Sequence, residues 1–176
     1  NKYQKENKKR IMLLSGKRVS KEEFYNDLYI LLKEKFEVLT YNDIPSDPDI
    51  LSIENAVASA NEFSCDSVIA LGGGSIIDAA KAIAARISNP KQSLRKKPVL
   101  LVAIPTTCGT GSECTVASVI SDLERREKYA ISDPKLIPHY ALLNPKCILT
   151  LPKNLLATTA LDALTHAVEA FIGNST

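Results

Sequence analysis

The sequence predicts an α/β fold in which a mostly parallel β-sheet carries helices on both faces and is followed by the start of an all-helical domain. Short, continuously apolar runs alternate with longer segments whose apolar residues recur at helical spacing. Runs that are apolar at every position are typical of strands buried on both faces of a parallel sheet. After Pro152 the pattern becomes purely helical. These observations predict two regions that differ in architecture.

The first half of the chain alternates regularly between strand and helix patterns. Four consecutive apolar residues, 11–14, predict the first strand, and a helical pattern runs from Ser20, the expected N-cap, to Phe36. The next strands and helices are expected, in alternation, at 36–40, 53–63, 67–71, 75–88 and 99–104. Parallel strands joined by helices form βαβ units, so the sheet is expected to be Rossmann-like.

The second half changes character. Short strands are expected at 115–121, 128–132 and 140–144, and the charged segment 122–127 is expected to form the tip of a hairpin. The helical pattern that follows Pro152 places a change of domain near Thr150. We therefore expect an α/β domain over 1–150 and the first part of a helical domain over 151–176.

Composition excludes several classes of function. The chain has 176 residues, 45% hydrophobic and 24% charged, and its net charge of +2 is too small to favour nucleic acid or a membrane as partner. The one basic run, 2–10, is interpreted as a solvated helix end. No apolar stretch approaches the ~20 residues of a membrane span, and no secretory signal pattern opens the chain. Four cysteines without C-x-x-C spacing are expected to be reduced, mostly buried thiols of a cytoplasmic protein.

A glycine-rich turn follows the third predicted strand. Gly72, Gly73, Gly74 and Ser75 separate that strand from a helix, and three glycines allow a turn through positive φ. Ser75 is expected to be the N-cap, with Asp78 as the acidic half of a capping box. The free N–H groups at the start of the helix could then bind a phosphate. A purely structural turn explains the same pattern equally well.

Three loops follow carboxyl ends of predicted parallel strands, at 15–18, 72–75 and 106–112. Because ligands of such sheets collect at this edge, we expect the three loops to line one crevice. The loop 106–112 is crowded with hydroxyls and glycines, which suits contact with phosphate, ribose or an amide. The alternative is a flexible polar loop.

Asp162 and His166 are four residues apart on the last predicted helix and therefore share one face. A carboxylate and an imidazole at this spacing form half of a metal site. A hydrogen bond within the helix is the competing interpretation, since two ligands alone do not hold a metal. The other histidine, His139, lies in a loop and is expected to be exposed and not a ligand.

Three segments together resemble ordered signatures of the iron-containing (group III) alcohol dehydrogenase family. They are 72–81, GGGSIIDAAK; 105–113, PTTCGTGSE; and 162–170, DALTHAVEA. The similarity runs from about Lys9 to the end of the chain. Glycerol dehydrogenase and dehydroquinate synthase belong to the wider group of relatives of that family.

The resemblance implies an N-terminal domain that binds NAD or NADP, a C-terminal helical domain, and a divalent metal, Fe²⁺ or Zn²⁺, between them. It implies that the pyrophosphate region would be held by Gly73, Gly74, Ser75 and Asp78. The cofactor would be lined by Thr106, Thr107, Thr110 and Thr115, approached by Lys128, and bordered near its adenosine by Asp47. Asp162 and His166 would be the first two metal ligands, and through the metal they would be the catalytic residues.

The chain departs from the family pattern in two ways. The family completes its metal site with two later histidines, and the chain ends at Thr176 before them, so it is interpreted as an N-terminal fragment. NAD-preferring relatives carry an Asp where Gly16 stands here. Gly16, with Lys17 and Arg18 beside it, would tolerate or attract a 2′-phosphate, which favours NADP.

The resemblance therefore implies a metal-dependent, NAD(P)-linked alcohol dehydrogenase or aldehyde reductase. It would transfer a hydride between a small primary alcohol or aldehyde and the nicotinamide, and the family leads us to expect a homodimer. The chain as it stands is expected to be inactive. The alternatives are a truncated dinucleotide-binding module without a metal and a lyase similar to dehydroquinate synthase.

Overall fold

The structure is a computed structural model that describes residues 10–90 and 94–173. Within them, five parallel strands form one sheet in the order β2-β1-β3-β4-β7, and β5 and β6 form a separate antiparallel hairpin. The strands are β1 (Arg10–Ser15), β2 (Glu37–Tyr41), β3 (Ser67–Gly72), β4 (Leu100–Pro105), β5 (Ala117–Asp122), β6 (Glu127–Ser132) and β7 (Tyr140–Ala141). The helices are α1 (Glu23–Lys33), α2 (Ile50–Glu62), α3 (Gly74–Ser88) and α4 (Lys153–Ile172).

The sheet separates two apolar cores because successive side chains of a strand point to opposite faces. In β1, Met12 and Leu14 pack with α2 and α3, whereas Ile11 and Leu13 pack with α1. All four side chains are completely buried. Helices therefore cover both faces, and the predicted Rossmann-like α/β fold is confirmed.

Most predicted elements appear within a few residues of their expected bounds, including the charged hairpin between β5 and β6. The first helix is an exception, because α1 begins at Glu23 after a short 3₁₀ turn and its N-cap is Glu22, not Ser20. The last predicted strand shrinks to Tyr140–Ala141, which pairs in parallel with β4 at the edge of the sheet.

Two expectations about exposure are corrected. Cys65 and Cys147 are buried, but Cys108 and Cys114 are exposed, so the thiols are not mostly buried. His139 is half-buried, and its Nδ1 accepts a hydrogen bond of 3.1 Å from the backbone N–H of Leu101. Of the basic run 2–10, only Arg10 lies within the described residues, where it begins β1 and is no helix end.

Helix α4 has 20 residues, and none of them is buried in the described part of the chain. Its mean hydropathy of 1.3 over the best window makes it long and apolar enough to cross a membrane by length and composition. The expectation that no stretch approaches this length is therefore wrong. Core helices of soluble proteins meet the same criterion, so the finding assigns no membrane location.

The glycine turn between β3 and α3 serves close packing. Its glycines do not have positive φ; of the glycines described, only Gly111 does. A Cβ atom on Gly72 would lie 2.7 Å from the Cβ of Ile76. The N-cap of α3 is Gly73 and no side chain caps the helix, so the assignments of Ser75 as N-cap and Asp78 as capping-box partner are wrong. A capping box does occur at the start of α2, between Asp49 and Ser52.

We predict that Gly72→Ala destabilises the fold by about 1–3 kcal/mol, since the added methyl group must displace Ile76 in a tightly packed core. The measurement is the urea midpoint of unfolding. Gly16→Ala is the matched control, because its Cβ would come no closer than 3.7 Å to Ile76, an ordinary contact. Equal midpoints for the two variants would contradict the packing explanation.

Candidate functional site

A crevice of about 850 Å³ lies at the carboxyl edge of the sheet, and all three predicted loops line it. The loops that follow β1, β3 and β4 contribute, together with the segment after β2, the start of α2 and one face of α4. The predicted site residues that line it are Gly16, Gly73, Gly74, Ser75, Thr106, Thr107 and Thr110. The structure therefore brings seven of the predicted residues to one surface.

The glycine turn (residues 72–75) and the loop 106–112, called the threonine loop below, lie directly against each other. A Cβ atom on Gly73 would approach Thr107 to 3.0 Å, and one on Gly74 would approach Thr110 to 2.8 Å. Between them opens the N-terminus of α3, a helix of 15 residues without a side-chain cap and without an acidic residue in its first turn. Unpaired N–H groups and the helix dipole make such an end suitable for an anion.

The threonine loop is fixed at three points. The backbone N–H of Thr106 donates to the carbonyl oxygen of Gly72 at 2.9 Å, and that of Ser112 donates to Oγ1 of Thr110 at 3.3 Å. Gly109 packs on α4 so closely that a Cβ atom there would overlap the carbonyl oxygen of Thr159. The loop predicted as a ligand surface is thus held in one conformation by its neighbours.

Lys81 in α3 is a completely buried lysine next to this loop. Its Nζ donates to Oγ of Ser112 at 3.1 Å, Oγ1 of Thr115 at 2.9 Å and the carbonyl oxygen of Ala117 at 2.7 Å. Oδ1 of Asp78 lies 3.5 Å away. Burial lowers the pKa of Lys81, and the charge of Asp78 acts in the opposite direction. The ammonium therefore joins α3 to the loop and to β5.

Asp78 and Thr115 are not among the residues that line the crevice in the described part of the chain. The carboxylate of Asp78 accepts hydrogen bonds from the hydroxyl of Ser112 and, at 3.1 Å, from the backbone N–H of Val119. Thr115 is turned towards Lys81. The side chains of both residues form hydrogen bonds with elements next to the crevice and not with the crevice surface itself. Their predicted contact with a cofactor stays a prediction.

Asp47 and Lys128 form an ion pair of 3.0 Å between the segment after β2 and the hairpin. Asp47 also accepts a hydrogen bond of 2.9 Å from the hydroxyl of Ser121. The ion pair with Lys128, followed by the bond to Ser121, holds the pKa of Asp47 below its usual value. Neither Asp47 nor Lys128 belongs to the crevice lining, so these two predicted cofactor contacts also stay predictions.

Helix α4 borders the crevice with its first half. Leu155 and Thr159 line the crevice, whereas Asp162 and His166, three and seven residues after Thr159 on the same side of the helix, are not among the lining residues. Nε2 of His166 lies 3.6 Å from Oδ1 of Asp162, and both side chains are about half exposed. Among the described residues, no cluster of three or more potential metal ligands occurs.

Sequence reasoning missed two kinds of residue. Lys81 is the only charged residue inside an otherwise apolar stretch of α3, 79–85, which signals a buried cation. Thr159 precedes Asp162 by three residues, so the helical spacing could have extended the functional face of α4. Asp43 and Asp49 also line the crevice, but no sequence pattern marks them.

A parallel sheet with a glycine turn at its carboxyl edge and an open helix N-terminus is an arrangement typical of nucleotide-binding α/β proteins. The model of the family described as iron-containing alcohol dehydrogenase matches residues 1–145. The chain belongs to this family.

Individual relatives agree with this assignment. The probable alcohol dehydrogenase EutG of Salmonella typhimurium is 43% identical over 135 residues, which cover 72% of this chain and 34% of that protein. The NADPH-dependent butanol dehydrogenase of Clostridium saccharobutylicum is 34% identical over 178 residues, covering 94% of this chain and 46% of its own length. A crystal structure of 1,3-propanediol oxidoreductase has a TM-score of 0.92 at 27% identity, covering 99% of this chain and 48% of that one. The chain thus spans about a third to a half of these relatives.

We predict that Lys81→Met destabilises the protein by about 3–5 kcal/mol, because it removes the completely buried ammonium and leaves the partly buried carboxylate of Asp78 without its cation. Urea unfolding measures the change. Arg125→Met is the matched control, since Arg125 pairs with Asp122 at 3.8 Å on the surface and such pairs contribute little. If both variants unfold at the same urea concentration, the buried network does not stabilise the fold.

Proposed function

We propose that residues 1–150 form the dinucleotide-binding domain, and residues 151–176 the beginning of the metal-binding helical domain, of an alcohol dehydrogenase or aldehyde reductase. The enzyme would use NAD or NADP and act on a small primary alcohol or aldehyde. One observation carries the proposal: the glycine turn, the threonine loop and the first half of α4 line one crevice, and the same helix carries Asp162 and His166 further along. A homodimer, a cytoplasmic location and the absence of nucleic-acid and membrane partners belong to the same proposal.

The crevice fits a dinucleotide. Its volume of about 850 Å³ lies within the range of small-molecule and cofactor sites. The N-terminus of α3 offers N–H groups and the hydroxyl of Ser75 to a pyrophosphate. Thr107 and Thr110 offer further hydroxyls to a ribose or an amide, whereas Thr106 is almost completely buried. One relative is named as NADPH-dependent, which supports a nicotinamide cofactor here.

Asp162 and His166 fit a divalent metal by the chemistry of their donor atoms. Carboxylate oxygen and imidazole nitrogen suit Fe²⁺ and Zn²⁺, and their spacing of four residues directs both to one side of α4. The pair supplies two of the three or four protein ligands that such a metal requires. The proposal therefore needs further ligands from outside the described residues.

When bound, the metal would polarise the substrate oxygen as a Lewis acid and the nicotinamide would give or accept the hydride. The residues of this chain would bind and orient the cofactor and the metal. The glycine turn and Ser75 would hold the pyrophosphate, and Thr107 and Thr110 would fix the cofactor beside α4. Asp162 and His166 would hold the metal at the mouth of the crevice. Placing two reactants at a fixed distance is itself a large part of such catalysis.

A dinucleotide-binding module without catalysis is the second candidate. The observation that favours it is that no group of three or more candidate metal ligands occurs among the described residues. A lyase similar to dehydroquinate synthase stays a third candidate. Binding of a dinucleotide without metal-dependent aldehyde reduction would select the second.

We predict that Ser75→Ala weakens the binding of NADH and NADPH about tenfold to hundredfold, the effect of losing one hydrogen bond to a charged phosphate. Isothermal titration calorimetry measures the two dissociation constants. Ser132→Ala, which changes an exposed serine of β6 away from the crevice, is the matched control. Equal affinities of the two variants for the cofactors would contradict the placement of the pyrophosphate at the glycine turn.

We predict that His166→Ala in the complete protein abolishes retention of Fe²⁺ or Zn²⁺, and with it turnover, because a ligand is lost. Metal content after dialysis, measured by mass spectrometry, is the readout, and it is independent of activity. Glu169→Gln is the control, an exposed carboxylate three residues along the same helix. Retention of metal by the His166 variant would overturn the metal assignment.

A further inference from the structure

Two ion pairs border the crevice where β1 and β2 end. Nζ of Lys17 lies 2.8 Å from Oδ1 of Asp43, and Nη1 of Arg18 lies 2.8 Å from Oε1 of Glu22. Lys17, Arg18 and Asp43 line the crevice, whereas Glu22 does not. Each basic side chain that could attract a 2′-phosphate is therefore already paired with a carboxylate.

The Lys17–Asp43 pair is placed by the sheet. Leu14 of β1 lies beside Tyr41 of β2 in the parallel register, so the two following loops leave the sheet side by side. The hydroxyl of Ser15 donates to Oδ1 of Asn42 at 2.8 Å, which ties the loops together at their start. Lys17 lies two residues after Ser15 and Asp43 one residue after Asn42, and their side chains meet at the crevice rim.

Gly16, next to this pair, leaves the crevice wall without a side chain. A Cβ atom on Gly16 would meet no atom closer than 3.7 Å, the Cδ1 of Ile76. Lys17 and Asp43 are both about three-quarters exposed, so both side chains are accessible to a ligand. Because Gly16 has no side chain, the choice between a ribose hydroxyl and a 2′-phosphate falls to the charged groups.

NAD and NADP differ at this point by one phosphate group. A carboxylate repels that phosphate and can accept a hydrogen bond from the 2′-hydroxyl of NAD, whereas a free lysine attracts the phosphate. Asp43 acts twice against NADP, because it is a like charge and because it holds the cation. Its hydrogen bond and its charge raise the pKa of Lys17, which shows how directly the two groups interact.

We propose that Asp43 determines the preference between NAD and NADP by holding Lys17 at the crevice rim. The inference rests on the proposed function, since it requires that the crevice bind a dinucleotide. It assigns the discrimination between NAD and NADP to a residue of the loop after β2, in place of Gly16 alone. It also implies that a single substitution at Asp43 shifts the preference of this chain towards NADP.

The test measures dissociation constants of NAD⁺ and NADP⁺ by calorimetry for the complete protein and three variants. Asp43→Asn should improve binding of NADP⁺ relative to NAD⁺ about tenfold, an effect that salt reduces because it is electrostatic. Adding Lys17→Ala to Asp43→Asn should remove most of this gain, since the freed lysine supplies it. Asp27→Asn is the matched control, with the same loss of charge on the exposed surface of α1, and should leave the ratio unchanged within about twofold.

The outcomes separate this inference from the proposed function. If both cofactors bind and Asp43→Asn leaves their ratio unchanged, the inference is overturned and dinucleotide binding stands. The same holds if the gain persists in the double variant, because Lys17 would then not carry it. If neither cofactor binds to the unaltered protein at millimolar concentration, the proposed function fails and the inference with it. Retained NAD⁺ binding in each variant shows that it is folded.

Discussion

The buried ammonium of Lys81 is the interaction on which the geometry of the crevice depends. A buried charge is costly unless hydrogen bonds and an opposite charge compensate it, and here Asp78, Ser112, Thr115 and the carbonyl of Ala117 do so together. Those partners come from α3, the threonine loop and β5. The network therefore fixes the start of α3 relative to the loop opposite, and these two elements form the crevice wall.

Steric constraints reinforce this electrostatic one. The glycine turn and the threonine loop touch at Gly73 and Gly74, and the same loop touches the backbone of α4 at Gly109. A wall built from such contacts cannot widen or narrow without repacking, because protein interiors are close-packed. A crevice of this kind presents its hydroxyls and N–H groups in advance, so a ligand need not pay for ordering them.

The sequence predicted the layout of the sheet well, because apolar runs and helical spacing report directly on burial in βαβ units. It also located the three loops, since carboxyl ends of parallel strands share one edge. It did not reveal which side chains reach across the fold. Asp78 and Thr115, whose predicted contact with the cofactor stays a prediction, bond to β5 and to Lys81, and no local pattern reveals these contacts. The glycine turn was predicted on the ground that glycine allows positive φ, whereas in the structure its glycines allow close approach of neighbouring side chains.

Helix α4 connects the crevice to the proposed metal site, and its two halves differ. Near Thr159 it is held by the threonine loop, whereas its distal end exposes Val168, Phe171 and Ile172. An amphipathic helix in water is stabilised mainly by packing of its apolar face, so this end requires a covering structure. Under the proposed function, the elements that cover it would also bring the missing ligands to Asp162 and His166. Metal binding and packing of α4 would then be one coupled event, since ligands become aligned only when the helix is held.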